Sequence, residues 1–120
     1  MSHFLFNGAI AILSIVLIAV YPRNPWVYPL CAISLFHESE HVYIFSQYLQ
    51  TGITGGPGLL GLGGLWGIFP IPRLQLHNIY NGFEVILLTL GFIFETETLL
   101  AKSESRRAHE ADLSHAAGPG

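Results

Sequence analysis

Three long apolar runs, separated by shorter polar or glycine-rich stretches, set the pattern of this chain. The first, Phe4 to Tyr21, has Asn7 as its most polar interior group. Its length meets, at the short end, the 17 to 25 residues or so that a bilayer span requires. Pro22-Arg23-Asn24-Pro25 then ends the helix in a tight turn. Trp26 and Tyr28 follow where amphipathic rings favour a membrane boundary. A second segment runs from about Trp26 to Leu49. Its first half is apolar through Phe36, its middle reads His37-Glu38-Ser39-Glu40-His41, and Val42-Tyr43-Ile44-Phe45 resumes the apolar pattern. Apolar flanks on both sides predict one interrupted helix. The third segment, Leu76 to Phe94, is polar in its first two turns and apolar afterwards.

Between the second and third segments, residues 51–72 hold most of the chain's 13 glycines, interleaved with Leu, Ile, Trp and Phe. A flexible linker would instead carry Ser and charge. The apolar composition predicts a hairpin that folds back on the helices, since irregular backbone is not tolerated against lipid. Gly55, Gly56, Gly58, Gly61, Gly63 and Gly64 are expected to include positive-φ or close-contact positions. No G-x-x-x-x-G-K-[ST] pattern is present, which argues against a nucleotide site. From Glu95 to Gly120 the chain turns polar and charged, which predicts a frayed helix end followed by disorder.

The pattern as a whole predicts an all-α integral membrane protein. Three transmembrane helices and the glycine hairpin would make up a domain over 1–97, with a polar C-terminal tail over 98–120. Composition agrees: 51% of the 120 residues are hydrophobic and 11% charged, against roughly 25% charged in an ordinary soluble domain. Before Glu95 the charged side chains are Arg23, Arg73, Glu38, Glu40 and Glu84. Arg23 and the tail cations Lys102, Arg106 and Arg107 would lie on one side of the membrane and Arg73 on the other. That bias predicts a cytoplasmic C-terminus. The first segment lacks a basic n-region and a small-residue cleavage pattern, so it reads as a retained helix. A formal net charge of −3 argues against a nucleic-acid partner. The single cysteine, Cys31, excludes an internal disulfide and reads as a buried packing thiol.

Candidate chemistry lies in the polar interruptions. His37 and His41 stand at i, i+4, one turn apart on one helix face, and Glu40 points near the same side. His77, Tyr80, Asn81 and Glu84 fall at i, i+3, i+4 and i+7 and form a stripe on the third segment. At about 1.5 Å per residue, antiparallel packing puts Glu84 level with the His37–His41 pair. A charge near the bilayer centre costs roughly 2.5 to 3.5 kcal/mol, so these groups require pairing, protonation or a bound cation.

Three functional readings follow. The first is a metal site built from His37, His41 and His77 with Glu84 or Glu40, suited by ligand type to zinc, iron or copper. It would belong to a subunit of a larger membrane redox complex, with the bilayer and other membrane-protein subunits as partners. His37-Glu38-Ser39-Glu40-His41 formally matches H-E-x-x-H. A self-contained membrane metalloenzyme, with Glu38 or Glu40 as general base, is therefore the alternative. The second reading is a structural hydrogen-bond network without metal. The third is a proton relay or a haem-contacting role.

Overall fold

The computed structural model describes residues 2–116, with the side chains of residues 4–113 and His115. Three helices follow in order: α1 (Ser2–Val20), α2 (Val27–Thr51) and α3 (Arg73–Ala116). α2 lies in the middle and packs against both neighbours. Among the described residues no Cα of α1 comes within 8 Å of a Cα of α3. The molecule is a long slab of 84 × 25 × 18 Å.

Local chemistry explains the breaks. The 21–26 turn is held by Asn24, whose Oδ1 accepts the Trp26 N–H at 3.1 Å. Asn24 Nδ2 also donates to the Gly91 carbonyl of α3 at 2.8 Å. A Cβ at Gly91 would meet the Trp26 side chain at 3.6 Å, so the turn sits close on α3 there. α2 ends at Gly52, which takes the left-handed conformation at φ 71° and donates its N–H to the Tyr48 carbonyl.

The glycine-rich connection folds on itself. Leu65 N–H donates to the Gly58 carbonyl at 3.1 Å, Trp66 to Leu59 at 2.8 Å, Phe69 to Leu60 at 2.9 Å and Leu62 to Ile71 at 2.9 Å. Gly55 and Gly63 have φ of 77° and 76°, where a side chain is costly. Gly58 lies against the Glu40 carboxyl, with which a Cβ would collide.

The interior is unusually polar. Ala11, Val27, Leu30, Cys31, Leu59, Leu76 and Leu87 are buried, but so are Asn7, Ser14, Asn24, Ser34, His37, Glu40 and Glu84. Many large apolar side chains face outward, among them Leu5 and Ile12 of α1, Val42 and Leu49 of α2, and Phe83 and Phe92 of α3.

Two expectations are corrected here. Among the described residues no helix is long and apolar enough to cross a membrane. The three-span integral membrane fold and its cytoplasmic C-terminus are therefore withdrawn. The reasons lie in each helix. α1 turns Asn7 and Ser14 inward. In α2 the His37–His41 stretch divides the apolar run at its centre. In α3 the apolar stretch lies between Glu84 and Glu95, which leaves about 15 Å. The second correction concerns the tail. α3 continues without a break through Glu95 to Ala116, because Glu, Ala, Lys, Arg and Leu are strong helix formers. The end of the expected tail, residues 117–120, lies outside the described residues.

Candidate metal centre

α1 and α3 both run antiparallel to α2, and this register assembles the centre. On the α1 side, the Phe4 and Phe45 rings stack with centroids 5.5 Å apart. One turn further along, Asn7 meets His41, with the amide Nδ2 2.8 Å from Nε2. Gly8 then faces Glu38, where a Cβ would lie 3.3 Å from the carboxyl oxygen. The small residue lets α1 approach closely enough for the Asn7 contact. On the α3 side, Phe36 and His37 pack edge-on or tilted against the Tyr80 ring.

The three histidines converge at the middle of α2. His37 Nε2 lies 2.8 Å from His77 Nδ1 and 3.1 Å from His41 Nε2. The candidate ligand atoms of His37, His41 and His77 all lie within 4.8 Å of one another, and this His₃ group can hold a metal ion. Two nitrogens bound to one tetrahedral ion at about 2.0–2.1 Å stand roughly 3.3 Å apart. The observed spacing thus needs only slight expansion to admit an ion. His37 is 1% exposed, so its ring has little freedom to leave.

The two glutamates assigned to the site by sequence stand elsewhere around it. Glu84 Oε1 lies 3.2 Å from Nδ1 of His37, the ring edge turned away from the convergence point. Glu84 therefore accepts a hydrogen bond from a candidate ligand, as carboxylates behind metal-bound histidines do. Glu40 Oε1 accepts the Leu59 N–H of the glycine connection at 3.2 Å. Its other oxygen meets no donor at full hydrogen-bond geometry, and the Tyr80 hydroxyl lies close to this carboxyl. Burial first, and the nearby Glu40 carboxylate second, push the Tyr80 phenol well above its ordinary pKa. Burial also raises Glu38, partly opposed by His37. His37, Glu40, His41 and His77 line a cavity of about 250 Å³ together with Ile44, Arg73 and Leu74.

Asn81 points to a different place. It lines, with Asn7, Ser14 and Glu84, a mostly apolar cavity of about 540 Å³ between α1 and α3. His109 and His115 are exposed on the far part of α3, His109 about 48 Å from His77 along a straight helix. Asn7 is the residue that sequence reasoning left out of the cluster. Its signal was available: it is the single carboxamide in the apolar run of α1.

The redox expectation rested on a membrane assembly and is withdrawn with the spans; three imidazoles imply no electron transfer by themselves. Comparison of the chain with protein-family models, curated proteins and solved structures finds no match in any of the three.

Proposed function

We propose that this chain is a small helical metal-binding protein that holds one divalent first-row transition metal at His37, His41 and His77 and serves as a subunit of a larger assembly. The observation that carries the metal reading is the convergence of three ring nitrogens, two of the separations being 2.8 and 3.1 Å. Proton placement supports it. With Glu84 taking the Nδ1–H of His37, the Nε2 of that ring presents a lone pair. That lone pair points at His77 Nδ1 and His41 Nε2, where an ion bound by the three rings would sit. An all-nitrogen set without thiolate suits zinc, copper or iron, and zinc is the first to test. The assembly role is supported by the large apolar side chains on the outer faces of all three helices, since extended apolar surface marks contact with other apolar surface.

Elemental analysis of the purified protein, with His37→Ala as control, tests the proposal. Stoichiometric metal in the wild type and its loss in the variant supports it. The competing reading, a metal-free polar network, is favoured by the unbroken chain of contacts from Asn7 through His41 and His37 to His77 and Glu84. It expects no stoichiometric metal and a loss of stability with each substitution.

A further inference from the structure

We infer that Asn7 supplies the fourth ligand, through Oδ1, so that the metal is a structural tie joining all three helices. The inference rests on the metal reading above and adds to it a residue from α1. The three imidazoles come from α2 and α3 alone, and a tetrahedral ion needs one more donor. The Asn7 carboxamide is 3% exposed, and its nitrogen stands 2.8 Å from a candidate ligand atom, His41 Nε2. A half-turn about its terminal torsion brings Oδ1 to that position, because amide oxygen and nitrogen are nearly the same size. The spacing between neighbouring ligand atoms of one tetrahedral ion is close to this, roughly 3.3 Å. Among the described residues no other hydrogen bond to Asn7 holds the amide in its present sense.

The surrounding packing is built to deliver Asn7 to this point. The Phe4–Phe45 stack fixes the register one turn away, and Gly8 permits the close approach of α1 to Glu38. A lone carboxamide turned inward from an apolar helix costs stability unless it is fully used. The consequence for the fold is specific. Among the described residues no Cα of α1 approaches one of α3 within 8 Å, and one ion bound by Asn7, His41, His37 and His77 would link the two helices through α2. A closed set of four protein ligands also leaves no coordination site for substrate. That distinguishes a structural centre from a hydrolytic one.

Cobalt(II) substitution of the full chain, followed by visible absorption, tests the assignment. The wild type should show the intense bands of a four-coordinate ion, and added azide should leave them unchanged. Asn7→Ala should still bind cobalt, at least about tenfold more weakly, and its spectrum should now respond to azide. Asn7→Asp, which keeps an oxygen at the same reach, should restore the azide-insensitive spectrum. A wild-type spectrum that shifts with azide overturns the assignment whether or not the variants fold. So does an Asn7→Ala protein with unchanged affinity and spectrum while His37→Ala loses the ion. Absence of cobalt binding in the wild type would overturn the metal reading itself.

Discussion

Glu84 approaches His37 from behind: its Oε1 lies 3.2 Å from Nδ1, while Nε2 on the opposite ring edge faces His77 at 2.8 Å. This pairing orients the imidazole and selects the tautomer with its lone pair toward the other histidines. Glu84→Gln keeps the shape and a carbonyl oxygen but removes the charge. Metal stoichiometry should persist while affinity falls about 10- to 100-fold, measured by competition with a chromophoric chelator. Complete loss of the ion in this variant would make Glu84 a direct ligand instead.

Single substitutions of His37, His41 or His77 by Ala should each reduce metal content to a small fraction. Pairs of these substitutions should add little further, because ligands of one ion act as a unit. Acid should release the ion, since protonated imidazole cannot ligate. Metal content after dialysis at stepped pH reads both effects. Additive losses across the three positions would argue against a shared ion.

Glu38 gives a pH dependence of opposite origin. Its carboxyl pKa is raised above the ordinary 4.5, by burial first. A carboxyl raised on folding favours the folded state fully below 4.5, and that contribution is lost as pH rises through the folded-state value. Glu38→Gln should therefore raise the melting temperature near neutral pH, and the gain should vanish below about pH 4. Thermal melts followed by circular dichroism at several pH values decide it. A gain that grew on acidification would reverse the sign.

The glycine connection makes a contrast between two positions. A Cβ at Gly58 collides with the Glu40 carboxyl, so Gly58→Ala should destabilise by about 1–3 kcal/mol. Gly82 lies inside α3 with nothing within 4 Å of its Cβ position. Gly82→Ala should stabilise by about 0.5–1 kcal/mol through backbone entropy. Urea denaturation of the two variants measures both. Equal tolerance at the two sites would show that the connection does not hold Glu40.

What the sequence by itself determined was local. Proline and asparagine at the 22–25 turn, the apolar runs and the four-residue spacing of His37 and His41 act through neighbours along one backbone. They specify helices and the faces their side chains occupy. The same local signals misled over the membrane. Long apolar runs were read as spans, whereas the folded helices turn Asn7, Ser14, His37, Glu40 and Glu84 inward and leave the expected tail helical. Tertiary structure alone decided the chemistry of the cluster. Which nitrogen of His37 faces His77, that Glu84 stands behind the ring, that Glu40 is held by Leu59, and that Asn7 arrives from α1 all depend on distances between helices and on side-chain torsions. Periodicity tells which side chains share a face of one helix. The convergence of side chains from three helices is fixed only when close packing sets the helices' separation and register.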